Sequence, residues 1–184
     1  MQQGARVVGS VPIPFWPRPQ WTVDAAGVLL LGASDDYLLR TSRTGLDTVL
    51  LFSRRGAVRV AVNAEEKSAW IEERVSKDRK FVPEPVLRAS LREDGIPDVR
   101  PVFDRIFVDL RGRRWVALSR QAGAPMALDL FDSNGRWLDH VGVAPHNWPD
   151  DSWAPIAFGS DRVAVVLTND EGGPVVRVFR IERT

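Results

Sequence analysis

The sequence predicts an all-β fold made of antiparallel four-stranded blades, the arrangement of a partial β-propeller, interrupted by a helical insertion. Three observations predict it. Short β-branched and aromatic runs meet at Asp-x-x-Gly turns, such hairpins recur in pairs along the chain, and one stretch between them has helical rather than alternating periodicity.

The first element is an N-terminal strand at about 5–13, Ala5-Arg-Val-Val-Gly-Ser-Val-Pro-Ile. A first blade is expected at about 20–62. Its opening hairpin, Gln20-Trp-Thr-Val-Asp-Ala-Ala-Gly-Val-Leu-Leu-Leu-Gly, turns at Asp24 to Gly27, and its second, beginning at Tyr37, turns at Ser42 to Gly45. Glycine belongs at the last turn position because it accepts positive φ without a Cβ clash.

The next stretch, Asn63-Ala-Glu-Glu-Lys-Ser-Ala-Trp-Ile-Glu-Glu-Arg-Val-Ser-Lys-Asp, predicts a helix. Asn63 caps it, Glu66 stands at the capping-box position, and Ala69, Trp70, Ile71 and Val75 share one face. That face either packs the insertion onto the strands or offers Trp70 and Ile71 as anchors for a partner. A short second helix is expected over 85–91, and the insertion as a whole over about 63–93.

The second blade, about 101–143, carries the strongest local signal. Ile106-Phe-Val-Asp-Leu-Arg-Gly-Arg-Arg-Trp-Val-Ala-Leu-Ser is a hairpin turning at Asp109 to Gly112, and Met126-Ala-Leu-Asp-Leu-Phe-Asp-Ser-Asn-Gly-Arg-Trp-Leu-Asp-His-Val-Gly-Val follows with its turn at Asp132 to Gly135. The third blade, about 154–183, has a hairpin turning at Gly159 to Asp161 and one further strand from Pro174, so it lacks an outer strand. Recurrence of a four-stranded meander is the mark of propeller blades.

The phrases Val108-Asp109-Leu110-Arg111-Gly112-Arg113-Arg114-Trp115-Val116 and Leu130-Phe131-Asp132-Ser133-Asn134-Gly135 resemble the repeats of six-bladed β-propellers of the NHL and TolB-like type, found in many bacterial proteins. The resemblance spans roughly 20–183 apart from the insertion and matches about the C-terminal half of such a propeller. It implies a fold rather than an activity. Three blades cannot close a ring of ~4 to 8, so the expectation is either a homodimer completing a six-bladed ring or a fragment of a longer chain.

Composition narrows the partners. The 25 basic and 24 acidic residues give a net charge of +1, which provides no global field for nucleic acid or anionic lipid. Arginine supplies 22 of the 25 basic residues, read as compositional bias. The chain has no cysteine, hence no disulfide and no thiolate chemistry. No run approaches the ~18 apolar residues of a membrane span. The compartment is left open: no signal peptide is found in this chain, and export is expected only if the true N-terminus lies upstream.

No Walker loop, Rossmann glycine pattern or Gly-x-Ser-x-Gly setting occurs, and no cofactor is expected. The expected ligand face gathers the loops between strands two and three of each blade, the loops joining blades, and the insertion. It offers Asp35 and Asp36, Arg120, and the loop Ala144-Pro-His-Asn-Trp-Pro-Asp-Asp-Ser-Trp. In that loop His146, Asn147, Asp150 and Asp151 set imidazole, amide and carboxylate groups beside Trp148 and Trp153, a composition suited to sugar or peptide recognition or to a metal, set against a proline- and tryptophan-pinned loop whose polar groups face water. Asp35 and Asp36 lack the Asp-x-Asp-x-Asp-Gly spacing of a calcium loop and read as turn carboxylates. His140 falls within a strand, apart from His146. Arg111, Arg113 and Arg114 read as a solvated hairpin turn on the opposite face.

The functional expectation is a non-catalytic binding or scaffold module for a protein, peptide or glycan. The alternative is a metal-dependent lactonase-like propeller hydrolase, which the resemblance permits and only fold analogy supports.

Overall fold

A computed structural model describes residues 13–45, 47–54, 57–121, 123–143 and 155–181. Most of the 5–13 strand and the whole 144–153 loop lie outside the described residues. The described residues form two compact units, one from residues 13–16 with Val62–Asp98 and the other from Pro17–Ala61 with the described residues of 99–181.

The second unit is β and antiparallel throughout. Strands β1 (Pro19–Val23), β2 (Leu29–Ala33), β3 (Leu38–Ser42) and β4 (Val49–Ser53) form one sheet in sequence order. Strands β5 (Phe103–Val108), β6 (Arg114–Leu118), β7 (Met126–Phe131) and β8 (Trp137–Val143) form a second in the same way. Strands β9 (Ile156–Phe158), β10 (Arg162–Thr168) and β11 (Pro174–Arg180) make a third, three-stranded sheet.

One turn design is used in all three sheets. At Asp24, Asp109 and Asp132 the side-chain Oδ1 accepts the amides two and four residues on, while the backbone carbonyl accepts the amide of Gly27, Gly112 or Gly135. Asn169 repeats the pattern in the third sheet, accepting the Gly173 amide on Oδ1 and the Gly172 amide on its carbonyl. The carboxylate satisfies amides that a tight turn would strand, which is why these positions carry Asp or Asn. The last residue of each turn is a glycine with φ between 73 and 84°.

The sheets stack face to face. The middle one is apolar on both sides, so its strands read as nearly continuous hydrophobic runs although their side chains alternate. One face presents Phe103, Ile106, Val116 and Phe131 to Leu30, Tyr37 and Leu39 of the first sheet. The other presents Phe107, Trp115, Met126, Leu128 and Leu130 to Phe158 of the third, where the Trp115 and Phe158 rings stack at 5.0 Å. The closest strand neighbours between sheets are the first strands: β1 lies against β5, and β5 against β9. The sheets thus approach most closely along their first strands.

The helical unit has its own core. Asn63 accepts the Glu66 amide and Glu66 returns the bond to the Asn63 amide, closing the capping box of α1 (Ala64–Asp78). Ile71 and Val75 pack on Leu87 of α2 (Glu84–Ser90) and on Leu91 and Ile96. The α1 stripe is therefore occupied inside this unit, and Ile71 is not presented as an anchor.

The arginine cluster departs from the expected solvated turn. Arg113 and Arg114 are buried, and only Arg111 stays at the surface. Arg113 Nε donates to Asp109 Oδ2 at 2.6 Å and Nη2 donates to the Ser160 carbonyl at 2.7 Å, while the guanidinium covers the Trp115 ring at 5.4 Å. The Asp109 carboxylate has no exposed surface and needs a cation, so the turn that looked solvated instead ties the second sheet to the third.

Candidate binding groove

Where the first and second sheets diverge, their outer strands leave an open groove of about 600 Å³ lined by Phe52, Ser53, Arg54, Asp129, Phe131, Gly135, Trp137 and His140. Each wall has a sequence cause. In β7, Leu128 and Leu130 face the third sheet, so alternation turns Asp129 and Phe131 towards the first. In β8 the register shifts between Leu130 and Phe131: Leu130 pairs with Asp139, but Phe131 pairs with Trp137. The extra residue, Leu138, is a β-bulge that sets His140 opposite Asp129, on the same face as Trp137. Without it His140 would face the other way.

At the base of the groove lies a fully buried carboxylate, Asp129. Its Oδ2 accepts the Tyr37 hydroxyl at 2.8 Å and Arg54 Nη1 at 2.8 Å, and its Oδ1 lies 2.8 Å from His140 Nδ1. A carboxylate can only accept, so Nδ1 carries the proton and a neutral ring leaves Nε2 as an acceptor. The Arg54 and His140 side chains are each 52 % exposed, whereas the Asp129 side chain is 1 % exposed. Two half-exposed cationic or polar groups are thus held in fixed orientation from beneath.

Tyr37 is buried, and burial pushes its phenol well above its ordinary value, with the neighbouring Asp129 charge pushing the same way. It therefore stays a neutral donor. Its ring packs edge-on against Phe103 at 5.7 Å and Arg54 lies over it at 5.9 Å. Phe52 stacks on Phe131 with ring centroids 3.9 Å apart, joining the two sheets beside the network. Trp137 is 54 % exposed at the groove wall. The groove therefore combines an indole platform with one fixed guanidinium and one imidazole that can donate or accept.

The expected site residues are distributed as follows. Asp35 and Asp36, in the turn between β2 and β3, line a second depression of about 440 Å³ together with Arg59, and this depression shares Ser53 and Arg54 with the groove. Asp35 Oδ1 accepts the Asp36 amide and the Asp35 carbonyl accepts Arg59 Nη2 at 2.6 Å, so both belong to a hydrogen-bonded turn. Arg120 donates to the Ala124 carbonyl within its own loop and lines neither depression. His146, Asn147, Trp148, Asp150 and Asp151 lie outside the described residues.

Sequence reasoning missed Asp129, Arg54, His140 and Trp137 as a group. The available signal was Asp129 itself, a lone carboxylate inside the apolar run Met126-Ala-Leu-Asp-Leu-Phe. A second acid, Asp104, accepts the Ser119 hydroxyl, and burial raises its proton affinity against the opposing pull of Ser119, Arg100 and Arg120.

Among the described residues, no three His, Asp or Glu side chains converge to hold a metal ion, and no helix is long and apolar enough to cross a membrane. The chain matches no family model and no curated protein.

Proposed function

We propose that the protein is a binding module of β-propeller type, non-catalytic, whose groove between the first and second sheets holds a segment of a protein or peptide, or a glycan. The observation that carries this reading is the bulge at Leu138, which sets His140 on the groove face with Trp137 and Arg54, His140 and Arg54 both being fixed by a buried carboxylate. Ordering these side chains in advance lowers the entropic cost of binding. Exposed tryptophan and arginine are the residue types that most often dominate binding energy. The propeller reading is supported by the succession of meanders, by their shared turn design and by the close approach of successive first strands.

The test is capture by immobilised peptide and glycan panels, followed by titration of the strongest binder. Trp137→Ala and Arg54→Gln are each expected to weaken binding about tenfold or more, the ~1.4 kcal/mol scale of a significant contact. Arg111→Ala, at a surface turn elsewhere in the second sheet, is expected to leave binding unchanged. Capture insensitive to both groove variants, or no capture by either panel, overturns the reading. The loop carrying His146, Asn147, Trp148, Asp150 and Asp151 is proposed for the same role, and joint alteration of Trp148, Asp150 and Asp151 separates its contribution from that of the groove.

A further inference from the structure

A sheet at the end of a stack faces water, and its outer face should carry the polar half of the alternation. The first sheet does the reverse. In β1, Gln20 and Thr22 are half-buried, whereas Trp21 is 67 % and Val23 50 % exposed. Trp21 pairs with Leu31, Leu31 with Arg40 and Arg40 with Leu50, while Leu30 and Leu39 point to the core on the other side. The outer face therefore presents a row of Trp21, Leu31 and Leu50 crossed by a single arginine.

The third sheet has the matching anomaly at the opposite end of the stack. Val165 is buried towards the second sheet, so Ala164 and Val166 face outward, paired with Val178 and Val176, which are 59 % and 64 % exposed. Ala157 pairs with Ala164 and extends the same face. One end is large and aromatic, and the other is small and β-branched. Large against small is also how the sheets already in contact pack, with Phe103 seated against Gly32 so closely that a Cβ there would lie 2.8 Å from the ring.

We infer that two copies of this chain associate head to tail, the outer face of the first sheet of each packing on the outer face of the third sheet of the other. The interface continues the sheet-on-sheet stacking inside each copy. Because successive sheets approach most closely at their first strands, the stack curves, and two such contacts close the pair instead of propagating a filament. The inference is independent of the groove, whose Arg54, Asp129, Trp137 and His140 lie on neither outer face.

The experiment uses the full chain. Light scattering is expected to give twice the 20.6 kDa mass of one chain, unchanged on dilution above the dissociation range. Trp21→Glu and, separately, Val178→Glu are each expected to halve that mass while leaving the circular dichroism of the wild type. The absence of cysteine allows a second readout that does not depend on those variants folding alone. Trp21→Cys mixed with Val178→Cys is expected to form an intermolecular disulfide, and neither variant is expected to form one with itself. A monomeric mass, a mass that grows with concentration, or disulfides formed by Trp21→Cys alone would each overturn the inference. The first would assign the two faces to other chain segments or another protein, and the last would make the contact first sheet to first sheet.

Discussion

Replacing Tyr37 by Phe and Asp129 by Ala, singly and together, isolates the bond that joins the first sheet to the second. Tyr37→Phe removes one hydrogen bond to a charged acceptor, an effect of about 1.5–3 kcal/mol, while the aromatic packing on Phe103 stays. Asp129→Ala leaves the buried Tyr37 hydroxyl without its acceptor, about 1–3 kcal/mol. It costs less through Arg54 and His140, because each is half exposed and can rehydrate. In the Asp129→Ala background the phenol has no partner left to lose, so Tyr37→Phe should then cost almost nothing. The expected coupling is therefore about 1.5–3 kcal/mol, read from urea midpoints at constant slope. Additivity within ~0.5 kcal/mol would refute the reasoning.

The same bond can be read optically, because Tyr37 is the single tyrosine of the chain. Burial first, and the Asp129 charge second, hold the folded phenol above the ordinary value of 10.0, so absorbance at the tyrosinate band should stay flat as pH passes 10. Since the unfolded chain ionises there and the folded chain does not, stability is full below about pH 10 and declines above it. Asp129→Asn should bring the titration down towards, but not to, the ordinary value. Ionisation of native Tyr37 near 10 would sink the argument.

Three further outcomes follow from particular contacts. Arg113→Ala should destabilise by about 2–3 kcal/mol, because it strips the cation from the unexposed Asp109 carboxylate, whereas Arg111→Ala should stay within ~0.5 kcal/mol; equal effects in thermal melts would restore the solvated-turn reading. Gly135→Ala should cost about 1–3 kcal/mol in urea unfolding, since φ is +84° and the new Cβ would lie 2.9 Å from the Leu51 carbonyl. Asp104→Asn should raise the melting temperature at neutral pH: burial favours the protonated acid in the folded state, so the wild type loses stability as pH rises from 3.8 through the raised folded value, and the variant's advantage should vanish below pH 3.8. A constant advantage across pH would contradict that sign.

The antiparallel sheets and the helix cap were legible because their causes are local. An Asp accepting amides two and four residues on, or an Asn63–Glu66 capping box, is written within five residues. The groove was not legible, and the reason can be traced to one residue. Counting outward from the Asp132 turn, where the Asp132 amide donates to the Arg136 carbonyl, a regular hairpin pairs Phe131 with Trp137, Leu130 with Leu138, and Asp129 with Asp139. That register sets two acids opposite each other and turns His140 to the far face with Leu128. The bulge at Leu138 advances the pairing by one, puts His140 opposite Asp129 and still leaves Trp137 beside Phe131. Period-two alternation cannot announce a bulge, because a one-residue slip inverts every assignment beyond it. Arg54 and Tyr37 were hidden for a different reason: they reach Asp129 across 75 and 92 residues of sequence.

This arrangement joins adhesion and recognition. Asp129 satisfies Tyr37 in the core and orients Arg54 and His140 at the surface, so a single carboxylate serves the contact between two sheets and the groove above it. A ligand that engages Arg54 and His140 binds only the folded chain and should raise its melting temperature as its concentration passes the dissociation constant. Tyr37 touches Asp129 but does not line the groove. Tyr37→Phe should therefore lower stability with little loss of binding, whereas Trp137→Ala should lower binding with little loss of stability. That opposite pattern distinguishes a binding groove from a structural joint whose opening is incidental.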